Sequence, residues 1–326
     1  TSAITGATSV TLAATDTVWS VTAANLTTAL AAGVRFAGAL TVTGIADGDE
    51  IAALTAFTSA ITGATSVTLA ATDTVWSVTA ANLTTALAAG VRLAGTLTVT
   101  GIENGDETAA LTAFTATSTG ATSVTLTADG AWSVTGAALT TALADGVFLA
   151  GTLTVTDIAV GNETAALIAF TATITGATSV TLVASDTNWS VTAAVLTTAL
   201  ADGVFLAGTL TVTDIADGDE TAALAAYTAA LTGATSVTLT ASDTNWSVTT
   251  ADLATALTAG VRFAGALTVT GIADGNETAA LTAYTSAITG ATSVTLAATD
   301  TVWSVTAANL TTALAAGVRF AGTLTV

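Results

Sequence analysis

Six aspartates occupy one position of a recurring pattern: Asp16, Asp73, Asp129, Asp186, Asp243 and Asp300. A second acidic corner, Asp47, Asp49 and Glu50, returns as Asn104, Asp106 and Glu107 and again as Asp217, Asp219 and Glu220. Clustered carboxylates suit a hard divalent cation, which gathers several oxygens at one point, so calcium is the ligand these residues would take. The corner becomes Val160, Asn162 and Glu163 in the third repeat. A ligand set tolerates that change poorly, whereas a helix N-cap exchanges Asp for Asn freely. The Asp16 column equally suits a turn held by an Asx side chain. Capping and turn formation are therefore expected ahead of calcium, and the six aspartates remain candidate calcium ligands.

Other columns carry weaker chemistry. Ser9-Val-Thr11 and Thr41-Val-Thr43, with their equivalents, place hydroxyls two residues apart on predicted strands. Such an array resembles the ice-binding face of antifreeze proteins, although Thr suits any exposed strand surface. Arg35, Arg92, Arg262 and Arg319 share a column in which the third and fourth repeats place Phe148 and Phe205. If Val34 and Phe36 point inward, this column points out and is a candidate lateral contact, since exposed apolar patches mark interaction surfaces. Trp19 recurs as Trp76, Trp132, Trp189, Trp246 and Trp303. It could stack on a sugar of a surface polysaccharide, but a bulky aromatic at regular intervals is expected to plug the core. Asn25, Asn82, Asn162, Asn188, Asn245, Asn276 and Asn309 stand in Asn-x-Ser/Thr acceptor sequences, which a Thr-rich chain also produces by coincidence.

Composition removes much else. The 326 residues contain no His, Cys, Met or Pro, and all four cationic side chains are Arg. Thiol and imidazole chemistry, Cys/His zinc sites and Ser-His-Asp triads are thereby excluded, as are lysine Schiff bases. Four cations against 23 acids leave a net charge of −19, which argues against nucleic acid and anionic lipid as partners. Hydrophobic residues make up 52% of the chain, too many for disorder. Apolar runs stop at about six residues, as in Ala165 to Phe170, far short of the roughly 20 needed to span a bilayer as a helix. A soluble, packed chain without membrane insertion is expected. Near-identical repeats offer no unique cleft, so no enzyme and no cofactor other than calcium are expected.

The elements that must position these columns come from a repeat. The unit spans 1–57 and recurs over 58–114, 115–170, 171–227, 228–284 and, in part, 285–326. No Pro-, Gly- or Ser-rich linker interrupts it, so one continuous array over 1–326 is expected, cut from a longer repetitive polymer. Within the unit, Thr22 caps a helix from 22 to 32, Leu26 and Leu30 share a face, and Gly33 stops it. The strand Ala39 to Thr43 follows. A second helix runs from about Glu50 to Phe57 with Asp49 as N-cap, and Asp47 with Glu50 fits a capping box. Ser66 to Leu69 forms the next strand, and the longer half-unit carries the insertion DTVWSV.

Strands with one apolar face and short helices with one apolar stripe cannot bury themselves alone. Stacking solves this, so the expected fold is an α/β solenoid of helix–strand half-units with a parallel sheet. An all-β solenoid is the alternative, favoured by the abundance of Thr and Val. At about 4.8 Å per strand, one repeat would advance roughly 10 Å.

LTVTGIADGDEIAALTAF and ATSVTLAATD, alternating with ANLTTALAAG, resemble the tandem repeats of giant secreted bacterial surface proteins, those of marine cyanobacteria among them. The half-unit is also similar to a leucine-rich repeat in length and order, but it lacks the LxxLxLxxN run, so no asparagine ladder is implied. The resemblance implies an extracellular, cell-surface location and a structural role as a stiff rod or filament of a surface layer, matrix or fibre. Copies of the chain, end to end or side by side, would be its partners, with surface polysaccharide as a further one. A binding module, either a calcium-stiffened adhesin stalk or an ice-binding solenoid, is the alternative function.

Overall fold

The computed structural model describes residues 9–326, apart from the side chains of Asp16, Thr17 and Thr244. Each repeat alternates strands with short helices, and the strands pair in parallel. The first repeat shows the pattern: β1 (Val10–Thr22), α1 (Ala23–Ala31), β2 (Val34–Ile45), α2 (Glu50–Ala56) and α3 (Ser59–Thr62). The strands continue as β3 (Ser66–Thr79), β4 (Val91–Ile102), β5 (Ser123–Ala128), β6 (Trp132–Thr135), β7 (Val147–Ala150) and β8 (Thr152–Ile158). β9 (Ser179–Thr192), β10 (Val204–Ile215), β11 (Ser236–Thr249), β12 (Val261–Ile272), β13 (Ser293–Ser304) and β14 (Val318–Thr325) complete them. This is an α/β fold; the helices exclude the all-β alternative.

The chain divides into two compact units, Thr1–Thr154 with Thr173–Thr178, and Val155–Ala172 with Ser179–Val326. One sheet has the order β1-β2-β3-β4-β5-β7 and the other β14-β13-β12-β11-β10-β9-β8-β6. Strands thus add in chain order, and the sheets part inside the third repeat. That repeat is the one with 56 residues: Thr127-Ala-Asp-Gly-Ala-Trp132 stands where the second has Ala70-Ala-Thr-Asp-Thr-Val-Trp76. Its long strand is broken into β5 and β6, and Gly151 separates β7 from β8.

The helices form where Thr and Gly punctuate Ala-Leu segments. Thr22 caps α1, its hydroxyl accepting the Asn25 N–H, and Gly33 follows with φ 76°. Mid-helix Thr27 and Thr28 turn their hydroxyls onto the carbonyls of Ala23 and Ala24, which lets a Thr-rich segment remain helical. Leu26 is fully buried. Asp49 sits at the N-cap of α2, but its side chain makes no capping bond. Glu50 does this instead: largely buried, it accepts the Gly48 N–H at 2.8 Å. The expected capping box is therefore replaced by a carboxylate at the first helical position. A further short helix, α3, follows α2; Thr58 caps it and Gly63 ends it at φ 77°.

Both strand types run longer than their apolar cores suggested. Leu40 and Val42 face inward as expected, but β2 begins at Val34 and includes Val34 and Phe36 in the same inward row. β3 continues through the DTVWSV segment by means of a bulge. Ala70 pairs with Ala94 and Val75 with Thr96, so four residues oppose Gly95 alone. Thr74 takes a left-handed conformation there, φ 63°, and Gly95, at φ 113°, lies beneath it. A Cβ on Gly95 would collide with the Thr74 carbonyl, and Gly208 and Gly322 stand in the same relation to Thr187 and Thr301.

The bulge withdraws a ladder partner, and Trp supplies one. Trp76 Nε1 donates to the Ala94 carbonyl at 3.0 Å, and Trp19, Trp132, Trp189, Trp246 and Trp303 make the same bond to Ala37, Ala150, Ala207, Ala264 and Ala321. Trp76 through Trp303 are fully buried, and Trp19, on the end strand, is half-buried. Where the neighbouring column is Phe, the rings meet edge to face, as for Trp246 and Phe263 at 5.2 Å.

Two predictions follow from this packing. Trp246→Phe keeps an aromatic ring but leaves a void and an orphaned carbonyl, and should destabilise the surrounding strands by about 2–4 kcal/mol, read as lost hydrogen-exchange protection over β11 and β12. Ser59 carries a buried hydroxyl with no partner, while Ala116, Ala172 and Ala229 stand in that column elsewhere. Ser59→Ala should raise the denaturation midpoint, corresponding to about 1 kcal/mol, because an unsatisfied buried group is removed.

Candidate functional site

The features that could meet another molecule lie on the outward strand residues, in the bulges and at the helix ends. In the bulge, four Asp side chains of the column fold onto their own turns. Asp73 Oδ1 accepts the Val75 N–H at 3.1 Å, and Asp186, Asp243 and Asp300 accept those of Asn188, Asn245 and Val302 at 3.1, 3.0 and 3.1 Å. This is the Asx geometry that holds a turn. The Asp16 side chain lies outside the described residues. Asp129 occupies the shortened bulge, where its backbone N–H bonds Ile102. Among the described residues no three acidic side chains converge on one point. The acidic corner likewise works inwardly, Glu107 and Glu220 repeating the bond of Glu50 to Gly105 and Gly218.

The outward residues form short rows of hydroxyls. Ser20 pairs with Thr41 and Thr41 with Thr68, and the next strand brings Arg92. Ser77, Thr98 and Thr125 form the equivalent row, ended by Phe148. In the second unit Ser190, Thr211 and Thr238 meet Arg262, and Ser247, Thr268 and Thr295 meet Arg319. Each row thus runs three strands before a larger side chain interrupts it. The bulge shifts the register by three residues in β1, β3, β9, β11 and β13, so the outward residue opposite each row differs on its two sides.

The Arg/Phe column lies on the outward parity, as expected, yet it is partly covered. Where β2 extends beyond the start of β3, the turn at Gly63 runs beside it. A Cβ at Gly63 would stand 3.1 Å from Arg35 Cβ, and Gly120, Gly176, Gly233 and Gly290 relate in this way to Arg92, Phe148, Phe205 and Arg262. Phe148 and Phe205 are consequently half-buried, and Arg92 and Arg319 are exposed. Arg35 Nη1 turns back onto the Val34 carbonyl at 3.0 Å. The more exposed apolar column is Ile61, Ile174, Leu231 and Ile288 on the four-residue helices, between 40% and 53% exposed. Its signal was legible: one aliphatic side chain recurring beside a capped turn.

A shallow cleft recurs between the nine-residue and seven-residue helices. Ala80, Ala81, Ile102, Asp106, Ala110 and Phe114 line it in the second repeat, with Ala193, Ile215, Asp219 and Tyr227 in the fourth and Ala251, Ile272, Asn276 and Tyr284 in the fifth. Alanine methyls dominate it. The tyrosine hydroxyls are satisfied within the chain, Tyr227 by Ala193 and Thr197, and Tyr284 by Thr250. No described helix is long and apolar enough to cross a membrane.

The chain matches no family model, no curated protein and no solved structure.

The Asp column generates a direct prediction. Asp73→Ala should cost about 0.5–1.5 kcal/mol through loss of the Asx hydrogen bond, equally in saturating calcium and in chelator. A calcium-dependent rise in the melting temperature of the unaltered chain, abolished by this substitution, would instead make the column a cation site.

Proposed function

We propose that the chain is a structural repeat protein of the bacterial exterior, in which strand-by-strand addition builds a solenoid and repeat number sets its length. The observation that carries this is the recurrence of one lateral pairing. Leu40 with Val67, Leu97 with Val124, Leu210 with Val237 and Leu267 with Val294 are the same contact at four of the five junctions between repeats. A fold whose every addition presents the edge used by the next is extensible, and its mechanical role needs no catalytic or ligand site.

The columns support this reading. Asp73, Asp186, Asp243 and Asp300, Glu50, Glu107 and Glu220, and all six Trp side chains bond within their own repeat, and glycines such as Gly95 make room for the bulge. The strong net negative charge keeps a long, Ala- and Thr-rich surface soluble. Freedom from Cys suits a secreted bacterial fibre whose stability comes from repetition rather than disulfides. The resemblance of its repeats to those of giant secreted surface proteins supports a role at the cell surface, in a matrix or in a filament.

Chains of two, four and eight repeats, imaged by negative stain or measured by small-angle scattering, should lengthen by roughly 10 Å per repeat at constant cross-section. Growth as a string of separate globules, or as a body that thickens in all directions, would contradict the proposal.

A further inference from the structure

Every cationic side chain of the sequence stands in one outward column, Arg35, Arg92, Arg262 and Arg319. In the third and fourth repeats that column holds Phe148 and Phe205. Three residues earlier, the Ala of the other repeats becomes Asp145 and Asp202. The two exchanges occur together, Ala with Arg and Asp with Phe. The fold gives these aspartates a poor position. Each is the C-cap of a nine-residue helix, Gly136–Ala144 or Ala193–Ala201, where the helix dipole disfavours negative charge. The third and fourth repeats contain no Arg, so neither carboxylate has a cation in its own repeat.

Each compact unit carries both halves of the pattern. In the second unit Phe205 stands on β10 and Arg262 on β12, with the outward Thr211 and Thr238 paired between them. In the first unit Arg92 stands on β4 and Phe148 on β7, with Thr98 and Thr125 between. Arg92 and Asp145 are exposed, and Arg262, Asp202, Phe148 and Phe205 are half-buried. Arg262 Nη1 donates to the carbonyls of Val261 and Leu257 at 2.8 and 3.4 Å, and a guanidinium has further donors on the same planar fork. A patch with a cation at one end and a ring with a carboxylate at the other is complementary to itself after a half-turn.

We propose that a second copy of this chain docks face to face on this patch about a two-fold axis. Arg262 of each copy then meets Phe205 and Asp202 of the other, and the first unit offers the equivalent contact through Arg92, Phe148 and Asp145. The guanidinium stacks on the ring and bonds the carboxylate, and the Thr hydroxyls meet at the centre. Charge complementarity selects the occupant: the chain itself supplies the acid that its few cations lack. Such docking also covers the outward face of a parallel sheet, a class of sheet ordinarily covered on both faces. The proposal deepens the structural reading above and rests on it, since a fibre requires cohesion between neighbours and this contact supplies it from the side.

The test is a charge swap on the whole chain, followed by sedimentation velocity between about 10 µM and 1 mM, where weak to moderate association is visible. One variant combines Arg92→Asp with Arg262→Asp, and the other combines Asp145→Arg with Asp202→Arg. The unaltered chain should form dimers and larger species as concentration rises. Each variant alone should remain monomeric with an unchanged circular dichroism spectrum, because like charges now face each other. An equimolar mixture should associate again in a one-to-one ratio, since every introduced charge then meets its opposite; an unfolded variant could not be rescued in this way. A chain that stays monomeric, variants that associate as the unaltered chain does, or a mixture that fails to associate overturns the proposal. None of these outcomes alters the increase of length with repeat number, which tests the structural reading separately.

Discussion

Between adjacent strands runs one lateral interaction, and the rest of the molecule is arranged to preserve it. A parallel ladder brings inward residues into rows, such as Trp19, Leu40, Val67 and Val91, in which each member is sealed by the strands beside it. No strand closes its own row, and no single repeat holds a complete one. The energetic consequence is that burial belongs to junctions rather than to repeats. Fully covering a side chain of this size contributes about 1.5–3 kcal/mol, and most of that contribution exists only once a neighbour is in place.

The bulge is the device that reconciles strands of unequal length. The long half-unit carries three residues more than its partner can match. It disposes of them in an Asx turn, with a left-handed Thr over a glycine that has no Cβ to obstruct it. That solution strands a backbone carbonyl, and the indole N–H of the following Trp satisfies it. Asp, Thr, Trp, Ala and Gly are therefore one unit of structure distributed over two strands, which explains why they recur together. Where the third repeat lacks one residue of the bulge, the Trp132 bond to Ala150 survives, but the strand is broken and the two sheets part there.

Much of this was legible in the sequence. The nine-residue helix is bounded by Thr22 and Gly33, residues whose capping preferences are strong and local. The alternation of Leu40 and Val42 against Thr41 identifies a strand, and the spacing of Trp identifies a core position. What could not be read was tertiary in origin. Gly38 and the DTVWSV segment look like strand breakers, yet β2 and β3 run through them because the neighbouring strand absorbs the irregularity. Asp49 has the preferred residue type for an N-cap, but Glu50 reaches the free Gly48 N–H with a longer side chain. Arg35 and Phe148 have the outward parity that alternation assigns, and only the path of the next turn shows that they are half covered. The aspartates were the least determinate, since a carboxylate that bonds its own backbone and one that awaits a cation share the same spacing.

The central claim is that folding free energy resides in the contacts between repeats. It is tested most directly by measuring helicity and denaturant unfolding of chains containing one, two, three and five repeats. A single 57-residue repeat should be largely unfolded, with midpoint and cooperativity rising steeply over the first additions and then levelling, as nearest-neighbour coupling requires. A single repeat that folds cooperatively, with the same midpoint as the longer chains, would contradict the account.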